Sequence, residues 1–169
     1  NNKARVGGGI YNNGTLILTN ATLTENTATF IGGALCMSSS DSSGKMTGGK
    51  IINNECSGSS DGGGVYIHAG TFTLNSGAFI EGGGAYVGQN GTLIINGGSI
   101  KLNKAQSRGG GVYVSGNSTK RGTLRMIQGD ISDNGAGWNG TSYTGEGGGV
   151  YNSGVFEMTG GEIKDNKAA

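Results

Sequence analysis

Glycine clusters divide the chain into six copies of one pattern, starting near Gly7, Ile31, Gly62, Gly82, Gly109 and Gly147 and separated by 24, 31, 20, 27 and 38 residues. The last copy is cleanly written: Gly147-Gly-Gly-Val-Tyr-Asn-Ser-Gly-Val-Phe-Glu-Met-Thr-Gly-Gly-Glu-Ile-Lys-Asp-Asn-Lys-Ala168. It holds three short segments of period-two character, each ended by Gly, Ser or Asn, which is the signal of short strands joined by turns. A helical repeat is excluded, because each copy carries a Gly pair or triplet and glycine costs about 1 kcal/mol per position inside a helix. An array of like segments cannot bury its apolar face one copy at a time, so neighbouring copies must stack.

Stacked parallel coils place equivalent residues about 4.8 Å apart, so each column should hold one kind of residue. The first strands align Ile10, Ala34, Val65, Ala85, Val112 and Val150, and two residues later Asn12, Cys36, Ile67, Val87, Val114 and Asn152. The second strands align Leu16/Leu18, Met46, Phe72/Leu74, Leu93/Ile95, Leu124/Met126 and Phe156/Met158. The third align Leu23, Ile51, Phe79, Ile100, Ile131 and Ile163. These columns read as the inward faces of a narrow core.

Two further columns are polar or aromatic. Tyr11, Leu35, Tyr66, Tyr86, Tyr113 and Tyr151 share one row, which alternation turns outward and which reads as a stacked ladder that braces adjacent coils. Asn26, Asn54, Asn103, Asn134 and Asn166 each follow the third-strand apolar residue by three positions. An amide both donates and accepts, so a file of Asn can bond to itself and satisfy turn backbone. Small residues come two positions later, at Ala28, Cys56, Ala105, Ala136 and Ala168, which places Cys56 and, in its apolar column, Cys36 among buried residues. The third copy breaks the rule, since Phe79-Ile-Glu runs straight into Gly82 with no Asn or Ala, so its corner should be pinched or its neighbours must bulge.

The chain opens Asn1-Asn2-Lys3-Ala4, echoing Asp165-Asn166-Lys167-Ala168, so both ends lie at one phase of the repeat. Open coil ends invite further strands. The expectation is a segment of a longer array or a protomer that self-associates end to end.

Taken together, Gly-Gly-Gly-Val-Tyr, strands like Thr71-Phe-Thr-Leu and Ile-x-x-Asn-x-Ala resemble the right-handed parallel β-helix repeats of bacterial and archaeal adhesin-like surface proteins. The likeness covers nearly the whole chain. A looser similarity is to the chlamydial polymorphic membrane proteins, through Ile31-Gly-Gly-Ala and Ile-x-x-Asn. The resemblance implies a secreted or wall-anchored stalk used in adhesion or self-association, outside the cell or at its surface. The right hand follows from it and from the preference of parallel crossovers.

Composition narrows the partners. With 12 basic and 11 acidic residues there is no basic excess to release counterions from nucleic acid. The longest apolar runs are about four residues against the roughly 20 that span a bilayer, so no membrane insertion is expected. Two cysteines are too few for a disulfide framework.

Pectate-lyase-like enzymes share the resembled architecture, and their acidic calcium clusters find a match in the row Asp61, Glu81, Arg108, Glu146. Asp61 and Glu81 on adjacent coils would repel unless a cation intervened, making them a weak metal candidate. Arg108 between acids reads instead as a surface charge ladder. The lone histidine, His68, has no nucleophile at a triad spacing and reads as an exposed turn residue. No glycine triplet is followed by the Lys-Ser or Lys-Thr of a phosphate loop. A threonine row, Thr15, Thr71, Thr73, Thr92 and Thr123, is interrupted by Ile17, Ile94, Arg125 and Glu157, which argues against an ice-binding surface.

The fifth copy carries the insertion 135–146, with the only Trp and the one Tyr outside the row. Trp138 and Tyr143, with Asn139 between them, could stack on a sugar and bond its hydroxyls, or the loop could fold its Trp onto the solenoid flank. The reading of the sequence is therefore an all-β right-handed parallel β-helix over 1–169, six coils of three short strands, about 29 Å long. The expected role is a non-enzymatic extracellular structural or adhesive segment without cofactor, partnered by itself or by surface glycans. A carbohydrate-binding module using the 135–146 loop is the alternative, and a polysaccharide enzyme the third reading.

Overall fold

The computed structural model describes residues 1–58 and 63–168. It is an all-β solenoid of about six turns, without helix among the described residues, whose ladder pairings between named strands are all parallel. The fifth coil shows the plan. A first strand Val112–Val114 leads through a loop to Thr123–Ser132, which supplies the second and third strands, and a corner strand Gly135–Ala136 follows. Strands of the first three kinds merge into one twelve-stranded sheet. The corner strands form two separate sheets: Lys3–Val6, Thr27–Ile31 and Glu55–Cys56 on one side of the third coil, Lys104–Ala105 and Gly135–Ala136 on the other.

Like residues stack on like through most of the register. Ala85 pairs with Val65 and Val112, and Val112 with Val150; in the second strands Leu93 pairs with Phe72 and Leu124, and Leu124 with Phe156. The core this builds is narrow but dry, with Ile67, Phe72, Leu74, Leu93, Ile95, Ile100 and Leu124 wholly buried. One inward position holds no side chain: Gly44 lies between Leu16 and Phe72, and the Phe72 ring and Met37 occupy the space a larger residue would need.

Two columns differ from the sequence alignment. The second copy is shifted by one residue: Leu35, not Ala34, lies between Ile10 and Val65, and Cys36 stands opposite Tyr11 and Tyr66. Its turn begins at Gly32, which has the left-handed φ of 66° that Gly7 has at 61°. Ala34 therefore stands where the third glycine of the triplet, Gly9, stands one coil earlier, accepting hydrogen bonds from Gly9 and Ile10 N–H. In the third copy Ile80, not Phe79, pairs with Ile51 and Ile100 and is buried, while Phe79 turns outward beneath the Lys101 ammonium, 4.8 Å from its ring centre.

Five of the third-strand corners are turned without glycine, and the third coil, which lacks the asparagine, uses Gly82 at φ 79°. Glu25, Asn53, Leu102, Asp133 and Asp165 all have φ between 53° and 56°. Each directly precedes one of the aligned asparagines, so the left-handed residue swings the chain through the corner and points the next side chain inward.

Candidate functional site

The most built feature of the surface and its underlying corner is the asparagine file. Asn134 Oδ1 accepts from both the backbone N–H of Asn103, at 3.0 Å, and its Nδ2, at 2.9 Å, while Asn134 Nδ2 donates to Ile100 O and to Asn166 Oδ1. The pattern recurs from Asn26 to Asn54, and Asn2 extends it by one rung, with its N–H and Nδ2 both donating to Asn26 Oδ1. Asn26, Asn54, Asn103 and Asn134 are buried, and no buried side-chain polar atom lacks a partner among the described residues.

The file breaks at the third coil, where the missing Asn-x-Ala corner leaves no rung between Asn54 and Asn103. Backbone takes over: Gly83 and Gly84 N–H donate to Asn103 Oδ1 at 2.9 and 2.7 Å, and Asn103 Nδ2 donates to Ile80 O. The same omission uncovers Cys56, which is half-buried rather than buried, its Sγ 2.9 Å from Phe30 O.

Along the tyrosine row Tyr66, Tyr86 and Tyr113 stack nearly parallel at 4.7 and 4.9 Å between centroids, and Tyr151 continues at 5.0 Å with a 32° tilt. Tyr11 does not join. Cys36 stands between it and Tyr66, so Tyr11 is 59 % exposed, which corrects its place in the ladder. Ring faces within the stack cover one another. Burial raises the Tyr66 hydroxyl pKa to about 12, with the neighbouring Tyr86 adding to it, and burial raises the Cys36 thiol to about 11. Both cysteines are free thiols, and burial keeps the Cys36 thiol protonated at neutral pH.

The 135–146 insertion is folded down. Trp138 and Tyr143 are bridged in antiparallel fashion with ring centroids 4.9 Å apart, and Lys104 Nζ sits 5.1 Å over the indole. The Tyr143 ring packs onto Gly135, where a methyl group would collide with it. Asn139 spends its side chain on the turn, Oδ1 accepting from Thr141 and Ser142 N–H at 3.0 and 2.9 Å and Nδ2 donating to Ser142 Oγ. The three residues are thus brought together, but as a self-satisfied flank of the solenoid.

Of the row before the glycines, Arg108 and Glu146 pair across coils with Nε 2.7 Å from Oε2, and the Arg108 guanidinium also lies 5.0 Å over Tyr151. The hydrogen bond to Glu146 raises the Arg108 pKa further. Glu81 stands apart from that pair, in a third strand between Ile52 and Lys101. Asp61 lies outside the described residues. Among the described residues no three His, Cys, Asp or Glu converge as metal ligands. His68 is exposed and stacks on Tyr66 at 6.4 Å.

One surface ladder escaped the sequence alignment. Asn75 Nδ2 donates to Thr47 Oγ1, Asn96 Nδ2 to Asn75 Oδ1 and Gln128 Nε2 to Asn96 Oδ1, a file of amides along the end of the second strands. Its signal, a Thr, two Asn and a Gln at one phase, is blurred by an extra residue at the Ile95/Asn96 register shift. No protein-family profile, curated protein or solved structure matches this chain.

Proposed function

We propose that the chain is an extracellular structural segment of an adhesin-type stalk or fibre, whose work is done by coil-on-coil continuity rather than by catalysis. The observation that carries this reading is the asparagine file, whose rungs run toward both ends of the coil stack. At Asn2 the open group is the Oδ1 acceptor, and beyond Asn166 the next rung would take the backbone N–H, as Asn166 Oδ1 takes that of Asn134. The terminal coils also leave side chains of the inward columns uncovered, with Met158 and Ile163 each more than a third accessible and Ile10, Leu16 and Leu18 only partly buried. A further coil, from the same chain or a second copy, finds unpaired strand edges, apolar columns and an amide rung in one register.

The Trp138 loop supports sugar binding less well, because Lys104 covers the indole and Asn139 is consumed by its own turn. Electron microscopy and sedimentation over a concentration series test the assembly. Unbranched filaments one solenoid wide are expected as concentration rises, unchanged by Trp138→Ala. Discrete particles at every concentration would overturn end-to-end assembly and favour a segment of a longer array.

A further inference from the structure

Between the first and second strands of coils three to five a cleft of about 320 Å³ opens, lined by Tyr66, His68, Tyr86, Gln89, Asn90 and Lys120 together with Gly88 and Ser115. It owes its existence to a break in the repeat. Val87 pairs with Ile67 and Asn90 with Ala69, so coil four inserts one extra residue opposite His68, and the bulge brings Gly88 so close to the His68 backbone that a side chain there would collide with it. Such bulges re-aim side chains, here the amides of Gln89 and Asn90.

The far lip is preformed. Residues 116–121 turn back on themselves through the Gly116–Arg121 bridge, Asn117 Oδ1 accepts from Thr119 and Lys120 N–H at 2.9 and 2.8 Å, and Gly122 N–H donates to Ser115 O at 2.7 Å. Asn117 Nδ2 ties this turn to coil four through Gln89 Oε1 at 3.3 Å. Lys120 is therefore held on a braced turn and lines the cleft together with His68, the two amides, Tyr66 and Tyr86. No carboxylate is among the lining residues.

We propose that this cleft binds one carboxylate-bearing sugar residue of an acidic glycan. Lys120 supplies the positive charge for the carboxylate. The Gln89 and Asn90 amides and the Ser115 hydroxyl offer both donors and acceptors to ring hydroxyls, the pairing a neutral polar ring requires. The volume lies at the lower end of small-ligand sites and suits one pyranose ring, which is more than a simple inorganic anion fills. The site is independent of the Trp138 loop and of the coil ends, so it stands or falls apart from the assembly proposal.

The test is an NMR titration of the whole chain with trigalacturonic acid and, separately, with N-acetylneuraminic acid, using galactotriose as the neutral probe and sodium phosphate as the simple anion. Saturable shifts at Gln89, Asn90 and Lys120 with one of the acidic sugars are expected. Lys120→Ala should weaken that affinity by about tenfold or more, as loss of a charged hydrogen bond does, while Trp138→Ala leaves it unchanged. Both variants lie on exposed turns, and an unchanged melting curve confirms that they fold. Equal response to galactotriose or to phosphate, shifts centred on Trp138, or no saturable shift with either acidic sugar up to about 10 mM, well above the millimolar Kd of weak ligands, would overturn the proposal.

Discussion

Asn103 donates twice to a single atom of Asn134, through its backbone N–H and its side-chain amide, so one oxygen one coil away satisfies two buried donors. Replacing Asn134 by Ala orphans the Asn103 N–H and the Ile100 carbonyl together, and each buried unpaired group costs about 1–3 kcal/mol. A loss of about 3 kcal/mol in urea unfolding is expected for Asn134→Ala. Asn166→Ala, at the exposed end of the file, should cost less than half as much.

Leu102 holds φ 56° with a Cβ and no side-chain polar group, at 53 % exposure, whereas the equivalent corners use Asn53, Asp133, Asp165 and Glu25. A left-handed conformation costs a residue of this type about 1–2 kcal/mol, and Asn tolerates it better. Leu102→Asn should raise stability by about 0.5–1 kcal/mol, read as a higher denaturation midpoint with unchanged slope.

The tyrosine stack separates an interior rung from an isolated one. Tyr86 is sandwiched between Tyr66 and Tyr113, so Tyr86→Ala removes two ring contacts worth about 0.5–1.5 kcal/mol each beyond the buried area. Tyr11 touches no tyrosine, and Tyr11→Ala should change stability by less than about 0.5 kcal/mol. Equal losses at the two positions would show that the stack contributes nothing of its own.

Alkaline solution should attack the same region. The Tyr66 hydroxyl and Cys36 thiol are both raised, to about 12 and about 11, so the unfolded chain gives up these protons at a lower pH than the folded one. The stability they contribute is whole below their ordinary values, near 9 for the thiol and 10 for the hydroxyl, and is lost as pH climbs through the raised ones. Unfolding measured from pH 8 to 12 should show this decline, and Tyr66→Phe with Cys36→Ala should flatten it.

Much of the fold was legible because its energetics are columnar. Period-two apolar positions, the glycine clusters and Asn-x-small each repeat, and stacking turns a linear repeat into a spatial file. The misreadings came where a local shift left the composition plausible. Ile31-Gly-Gly-Ala aligns by eye with a glycine triplet and Ile10, but the left-handed φ of Gly32 fixes the phase one residue later. Phe79 and Ile80 are both apolar, and only the pairing with Ile51 and Ile100 decides which turns inward. The left-handed residues before each asparagine left no common residue type to find, since Glu, Asn, Leu and Asp share a backbone state rather than a side chain. The cleft beside His68 was illegible for a related reason, because it arises from the bulge at Gly88 and from a turn two coils away.

The central claim is that each coil bonds directly to the equivalent residues of the next. Trans-hydrogen-bond scalar couplings in labelled protein test it without reference to any ligand. Coupling is expected from the Val65 amide to the Gly84 carbonyl, from Ala85 to Gly111 and from Val112 to Gly149, three rungs of one ladder. Couplings that instead connect each first strand to the second strand of its own copy, as a hairpin would, contradict the stacked solenoid.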